Sequence, residues 1–159
     1  MALAQMGRKF YVSTTAVTKG INETALEALT YTEVKNVGNF GQTGTEENIL
    51  TYNTMDTLVA DKQKGIANAG DPTLEVAFDP TDPGQVLMRA HAQTRLLYAF
   101  KSELDDAPSG GTPTTFYNVG LVAGPAMPNG GPEDFVVEVY TLPLVQKQIV
   151  VPAAGPSGP

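Results

Sequence analysis

Alternation of apolar and polar residues predicts a chain built mostly from short strands. A period of two is typical of a strand with one buried face. The pattern is clearest in residues 72–80, where Leu74, Val76 and Phe78 share one predicted face. Runs rich in β-branched and aromatic residues predict further strands, at 9–17, 31–37, 95–104, 114–127, 135–142 and 146–151. In 95–104 the pattern leaves open whether the even-numbered or the odd-numbered residues face the core.

Residues 82–94 form the best candidate helix. Asp82 is a good N-cap, Pro83 stands at the first helical position, and Gln85 falls where a capping box requires it. A shorter helix or turn is predicted at 21–29, with Asn22 as its cap. The predicted buried stripe of the longer helix contains Val86, Leu87 and Ala90.

The order of strands, one helix and further strands predicts a mainly β fold, a β-sandwich or barrel with one flanking α-helix. No linker divides the chain, so residues 1–151 are expected to form one domain. The Pro/Gly-rich segment 152–159 is expected to be a flexible tail. Six or seven strands leave sheet edges exposed, and exposed edges invite pairing with another chain.

A stretch after the second predicted strand does not fit the pattern. Residues 38–56 run for roughly twenty residues without a clear period, and compact domains rarely keep such a loop unless it is disordered or functional. Gly38, Gly41 and Gly44 indicate flexibility. Phosphate-binding loops usually carry a lysine, and no lysine falls between Gly38 and Asp61. Within the loop, "NILTYNTM" alternates and could pair as a ribbon-like arm.

Composition narrows the functional classes. The chain has 159 residues, a formal net charge of −7 and no cysteine. The absence of cysteine excludes disulfides and thiolate metal sites, and an acidic chain disfavours tight binding to nucleic acid. Apolar runs such as residues 96–100 are too short to span a membrane. We therefore expect a soluble protein made inside a cell, with no cofactor.

Few residues point to catalysis. The single histidine, His91, is predicted on the helix surface or boundary, with no nucleophile nearby in sequence. Paired carboxylates fall in predicted loops or turns, where solvated charge is the simplest explanation. These pairs are Glu46–Glu47, Asp105–Asp106 and Glu133–Asp134. The expectation is a protein that is not an enzyme. Two alternatives stay open: a small hydrolase using a carboxylate pair, and a monomeric carbohydrate-binding module with 38–56 as its recognition loop.

The order of three segments resembles a known family. "TLEVAFDPTDPGQVLMRAHAQTRLLYAFKSEL" is followed by "FYNVGLVAGPAM" and then by "FVVEVYTL". This order is similar to that of the tail tube (major tail) proteins of long-tailed, non-contractile bacteriophages. The resemblance covers residues 8–151 and lies in the order of elements, not in a catalytic motif.

The resemblance implies a structural virion protein. Such subunits self-assemble into hexameric rings that stack into a tube, through which double-stranded DNA passes as cargo. The implied partners are the subunit itself and the tape-measure, terminator and baseplate or tip proteins of the tail. The implied location is the virion tail, after assembly in the bacterial host cytoplasm. Tail-terminator and secretion-tube proteins share this fold and remain alternatives.

The resemblance also implies contact residues. The long loop is expected to reach a neighbouring subunit, and deletion of 40–53 is expected to leave a folded monomer that cannot polymerise. Glu46 and Glu47 are expected to meet basic residues on a neighbour. The proposed basic partners are Arg8, Lys9, Lys62 and Lys64; the other contact residues are Phe40, Ile49, Leu50 and Tyr52. An acidic lumen would repel DNA phosphates, and the candidates to line it are Glu33, Glu75, Glu103 and Glu138.

Overall fold

The computed structural model describes residues 7–56 and 58–155. Strands dominate this range, and two helices interrupt them. In chain order the elements are β1 (Lys9–Val17), α1 (Glu23–Glu27), β2 (Tyr31–Val34), β3 (Val37–Phe40), β4 (Glu46–Tyr52), β5 (Asp61–Asn68), β6 (Thr73–Ala77), α2 (Pro83–Ala92), β7 (Leu97–Glu103), β8 (Thr115–Gly120), β9 (Ala123–Ala126), β10 (Val137–Thr141) and β11 (Ile149–Val151).

The strands form three antiparallel sheets. A five-stranded sheet has the order β11-β8-β7-β1-β2, and a four-stranded sheet has the order β3-β6-β10-β9. Strands β4 and β5 pair only with each other, as a separate two-stranded ribbon. The predicted β-sandwich with a flanking helix is confirmed, and none of the described sheets closes into a barrel.

The main core lies between the two larger sheets and α2, and a second core lies on the other face of the five-stranded sheet, beneath α1. The strand β7 contributes to both, because Tyr98 and Phe100 enter the main core while Ala99 enters the second. Both faces of β7 are therefore buried, which explains why its sequence pattern left the inward face open. The other buried members of the main core are Phe10, Val12, Val34, Leu74, Val76, Met88, Val122, Tyr140, Leu142 and Leu144.

The N-terminus of α2 is fixed by side-chain hydrogen bonds. The predicted cap is confirmed, since Asp82 Oδ2 accepts from the Gln85 amide at 3.1 Å and from the Lys35 amide at 3.1 Å. Gln85 does not complete a capping box. Its side chain accepts from the Asp79 amide at 2.9 Å and donates to the carbonyls of Ala77 at 2.9 Å and Lys35 at 3.1 Å. These bonds tie the helix to β6 and to the turn between β2 and β3.

The predicted buried stripe of α2 is wrong at two positions. Val86 and Ala90 are exposed, and only Leu87 packs against the main core. The residues that face inward are Gly84, Gln85, Met88 and His91. Gly84 packs so closely on the Glu33 carbonyl that a Cβ has no room. The inward face is thus set by close backbone approach and by polar groups with partners, which apolar periodicity does not register.

The long excursion predicted after the second strand is present, but most of it is strand. Val37 pairs with Val76 and Phe40 with Leu74, so β3 forms an edge of the four-stranded sheet. The predicted ribbon is confirmed in β4, whose partner is β5. The edge strand was missed because its sequence, Val-Gly-Asn-Phe, has two residues with low strand propensity between its apolar ends.

Three other boundaries differ from the prediction. Strand β6 ends at Ala77, so Phe78 leaves the buried face and lies under the Arg89 guanidinium, 4.7 Å from the ring centroid. The predicted strand 114–127 divides into β8 and β9, which belong to different sheets. In the predicted tail, Ala154 exchanges two backbone hydrogen bonds with Thr112, and residues 156–159 lie outside the described range.

His91 is buried, so its predicted surface or boundary position is wrong. The residue is only 5% exposed, and its ring stacks on Tyr98 with ring centroids 3.6 Å apart. Nε2 donates to the Ser13 carbonyl at 2.8 Å, within the irregular part of β1. Burial lowers the pKa of His91 below its ordinary value of 6.5, and it outweighs the opposing effect of the bond to Ser13.

This buried histidine predicts a loss of stability in mild acid. The unfolded chain binds a proton near pH 6.5 while the folded protein resists it, so the free energy of unfolding should fall as the pH drops below 6.5. Chemical unfolding of the wild type and of His91→Gln at pH 7.5, 6.5 and 5.5 measures this. His91→Gln, which does not titrate, should show a flatter profile; identical profiles would contradict the explanation.

Candidate assembly interface

The ribbon of β4 and β5 is exposed on both faces. Every residue of β4 is exposed, and so is every residue of β5 except the half-buried Gly65. A two-stranded ribbon without a packed face is marginally stable in water. The ribbon is therefore expected to gain stability by packing against a surface outside its own sandwich.

The register of the ribbon separates its two faces. Ile49 stands opposite Lys64 and Thr51 opposite Lys62, on the face where Glu47 forms an ion pair with Lys64 at 3.2 Å. The other face carries the apolar side chains of Leu50 and Tyr52, which stand opposite Gln63 and Asp61. Each face of the ribbon therefore combines large apolar side chains with polar or charged ones.

The end of the ribbon is apolar as well. Met55 and Leu58 are fully exposed, and Val59 is 79% exposed. Of the fourteen large hydrophobic residues that are exposed in the described part of the chain, seven lie within 46–68. Such a concentration of exposed apolar side chains in one element is typical of an interaction site. The seven are Ile49, Leu50, Tyr52, Met55, Leu58, Val59 and Ile66.

A cleft lies near the base of the ribbon. It has a volume of about 480 Å³ and runs between the start of β1 and strand β3. Arg8 Nε donates to Ser102 Oγ at 2.6 Å, and the guanidinium lies 5.6 Å from the Phe40 ring centroid and 5.5 Å from that of Phe116. Partial burial lowers the pKa of Arg8. The described residues lining the cleft include Arg8 and Lys9 but no Asp or Glu.

The predicted contact residues divide between the ribbon and the cleft. Glu46 and Glu47 are exposed on β4, as are the three predicted apolar contacts Ile49, Leu50 and Tyr52. Phe40 is half-buried, because its ring packs 4.9 Å from that of Phe10, so it forms the cleft wall and not part of a free arm. Contact of these residues with a neighbour stays a prediction.

Both glutamates that were expected to pair with a neighbour already have partners within the chain. Glu47 already pairs with Lys64, and Glu46 accepts from Gln42 Nε2 at 3.3 Å. Sequence reasoning did not select the ribbon end, Met55, Leu58 and Val59. Three apolar residues in an otherwise polar stretch were the available signal.

The four candidate lumen residues do not share one surface. Glu75 is exposed on β6, on the side of the four-stranded sheet that faces away from the core. Glu33 and Glu103 lie on the face of the five-stranded sheet that also carries the second core, where Glu103 pairs with Lys101 at 3.3 Å. The prediction that Glu138 lines a lumen is wrong. It is 1% exposed and forms a 2.7 Å ion pair with Arg89.

One carboxylate in each of the pairs Asp105–Asp106 and Glu133–Asp134 has a structural role. Asp106 accepts from the Thr114 amide at 2.8 Å and from Thr114 Oγ1 at 2.5 Å, and these bonds hold its pKa below the usual range. Asp134 accepts from the Gly131 amide at 2.6 Å and fixes a turn. Within residues 7–56 and 58–155, no group of three or more acidic or histidine side chains could hold a metal ion. No helix in these ranges is long and apolar enough to cross a membrane.

Neither a protein-family profile nor a curated protein sequence matches this chain. Solved structures do match over nearly its whole length. One is a chain of an extracellular contractile injection system, described as the PVC sheath/tube terminator in its extended state. Its TM-score is 0.68 at 11% identity, covering 95% of this chain and 97% of that one.

Two further matches come from the anti-feeding prophage. A chain of its tube-terminating cap has a TM-score of 0.67 at 11% identity, covering 96% of this chain and 93% of that one. A chain of its six-fold symmetrised baseplate has a TM-score of 0.63 at 10% identity, covering 96% and 98%. At this identity the likeness establishes the fold. The first match belongs to a contractile injection system, whereas the sequence resemblance pointed to non-contractile tails.

The buried Glu138 predicts a large difference between two strand glutamates. Glu138→Ala should cost about 3 kcal/mol of unfolding free energy, because it leaves Arg89 without its carboxylate; the partial exposure of Arg89 keeps the loss at the low end of the range for buried pairs. Glu75→Ala, on the exposed side of the paired strand β6, should change it by less than about 0.5 kcal/mol. Urea unfolding measures both, and equal losses would contradict the assignment of Glu138.

Proposed function

We propose that this protein is a structural, non-enzymatic subunit of a phage-tail-like particle that forms a ring at the end of the tail tube. The observation that carries the proposal is the exposed, apolar β4–β5 ribbon. It projects from a sandwich whose fold is shared with chains of a tube terminator, a tube-terminating cap and a baseplate.

Burial of the ribbon supplies a suitable driving force. Removing one large apolar side chain from water contributes about 1.5–3 kcal/mol when burial is complete. The ribbon has seven such residues. Even partial burial of the set offsets an association cost of about 4–15 kcal/mol. In a ring each copy both gives and receives this contact, so no ribbon is left exposed.

A stacked tube subunit is the second candidate. The net charge favours it, because six copies of a −7 chain carry 6 × −7 = −42, and a lumen sharing that sign repels double-stranded DNA during passage. A ring at the tube end conducts the same cargo without needing to stack on itself. The terminator and cap matches support the tube-end position.

Oligomer mass and shape test the proposal. Native mass spectrometry and negative-stain microscopy of the concentrated protein should give closed rings of uniform size, which do not lengthen. Hollow tubes of many stacked rings would favour the second candidate. A strict monomer at high concentration would contradict both, and glycan binding by that monomer would support a carbohydrate-binding module.

Replacing the ribbon should separate folding from assembly. Residues 47–67 are exchanged for Asn-Gly, a two-residue hairpin turn that joins the paired residues Glu46 and Asn68. The shortened protein should unfold near the wild-type temperature, because the ribbon pairs only with itself, and it should form no rings. The deletion of 40–53 expected from sequence is less suitable, since it removes the packed Phe40 and leaves β5 unpaired.

A matched pair of triple variants serves as the control. The ribbon variant changes the ribbon end and carries Met55→Ser, Leu58→Ser and Val59→Ser. The control variant changes exposed apolar residues elsewhere and carries Met127→Ser, Phe135→Ser and Val136→Ser. Only the ribbon variant should lose rings in native mass spectra. Equal loss in both would indicate general surface stickiness.

A further inference from the structure

We propose that Asn129 is a modification site, at which the folded protein converts its own asparagine to aspartate and isoaspartate. The reacting groups are the side-chain amide of Asn129, the backbone nitrogen of Gly130 and water. The inference is independent of the proposed ring, because it rests only on the loop between β9 and β10.

The sequence singles out this asparagine. The chain has eight asparagines, and Asn129 is the one that a glycine follows. The reaction requires the backbone nitrogen of the next residue to reach the side-chain carbonyl carbon. Glycine allows this approach, because it has no Cβ and adopts backbone conformations that are closed to other residues. The residues that follow the other seven asparagines all carry a Cβ.

The structure leaves both reacting groups accessible. Residues 127–136 are all exposed and belong to no strand or helix. Within the described part of the chain, neither the Asn129 side chain nor the Gly130 nitrogen forms a hydrogen bond. The next nitrogen along the chain is held, since Gly131 donates to Asp134 Oδ2 at 2.6 Å. The turn is therefore fixed at Gly131, and the nucleophile at Gly130 is free.

The reaction is an intramolecular attack that needs no other reactant than water. Base removes the proton of the Gly130 nitrogen, which attacks the side-chain carbonyl carbon of Asn129 and forms a five-membered succinimide. The bond from that carbon to the side-chain nitrogen breaks, and this nitrogen takes up a proton and leaves as ammonia. Water then opens the ring at either of its two carbonyls, so the products are aspartate and isoaspartate.

The site lies at the end of the four-stranded sheet opposite to the ribbon. Phe40 pairs with Leu74 at the end from which the chain enters the ribbon. Ala77 pairs with Val137 at the other end, where the loop 127–136 joins β10. The modification therefore changes a surface that is separate from the ribbon.

The new carboxylate arises beside an existing one and among apolar side chains. Gly130 lies against Asp134, since a Cβ on Gly130 would be 3.2 Å from the Asp134 Cβ. Repulsion between the two carboxylates should loosen the turn that Asp134 fixes. The same loop exposes Met127, Phe135 and Val136. The site thus gives this apolar surface a negative charge that accumulates irreversibly as the protein ages.

Peptide mapping of the folded protein during incubation at pH 6.5 and pH 8.5 tests the proposal. The peptide with Asn129 should gain the mass difference between OH and NH2, as both aspartate and isoaspartate, and should do so faster at pH 8.5. Asn53 is also exposed outside a strand but precedes Thr54, and it should stay near background. Formation of aspartate alone, or conversion of Asn129 no faster than that of Asn53, would overturn the proposal.

Two alanine variants form a matched pair. Neither Gly130 nor Gly131 has a positive φ, so both positions accept alanine, with a slight shift of Asp134 at position 130. Gly130→Ala should lose most of the conversion, because its Cβ hinders the attacking nitrogen. Gly131→Ala adds the same Cβ at an ordinary 3.5 Å contact with Asp134 Oδ2 and should convert at the wild-type rate. Equal rates in the two variants would contradict attack by the Gly130 nitrogen.

Discussion

The sandwich covers its two cores but does not cover the β4–β5 ribbon, and the rest of the structure depends on this constraint. The main core is closed by two sheets and α2, and the second by α1. Strands β4 and β5 continue beyond this closed body and pair only with each other. Each strand is hydrogen-bonded along one edge only, and the apolar side chains are not removed from water. The sandwich is therefore packed on its own, whereas the ribbon leaves apolar side chains exposed to water.

The position of the ribbon is set by a small polar network. Asp82 and Gln85 bind the backbone of Lys35, at the point where the chain leaves β2 in one sheet and enters β3 in the other. Strand β3 then runs along β6 and delivers the chain to Gly41, which donates to the Thr73 carbonyl at 2.7 Å. The ribbon starts a few residues later. Helix α2 therefore fixes the chain at the point where it enters β3, the strand that precedes the ribbon.

Sequence alone predicted the parts that depend on local rules. Alternation located β1, β6, β7 and β10, and the residue preferences of helix starts located the Asp82 cap. The ribbon was partly foreseen from alternation in "NILTYNTM". These features depend on residues within a few positions of one another, which is why period and capping could find them.

The features that the sequence did not predict depend on partners far along the chain. Gln85 binds Lys35 at a separation of 50 residues, Arg89 binds Glu138 at 49, and His91 binds Ser13 at 78. A glutamate in an alternating strand looks solvent-facing until an arginine from a helix is placed over it. The sequence did not reveal the cleft for the same reason, because β1 and β3 come together only when the two sheets pack against each other. Local pattern thus predicts which residues form strands, whereas long-range pairing decides which polar residues are buried.

The charge distribution of the chain is consistent with an assembly that must be specific and yet remain soluble. A net charge of −7 makes copies repel one another at long range. Salt limits that repulsion to about 8–10 Å, so the proposed association through the exposed apolar ribbon has to outweigh it only at close approach. Surfaces with fewer exposed apolar side chains gain less on contact, so the same repulsion disfavours association through them.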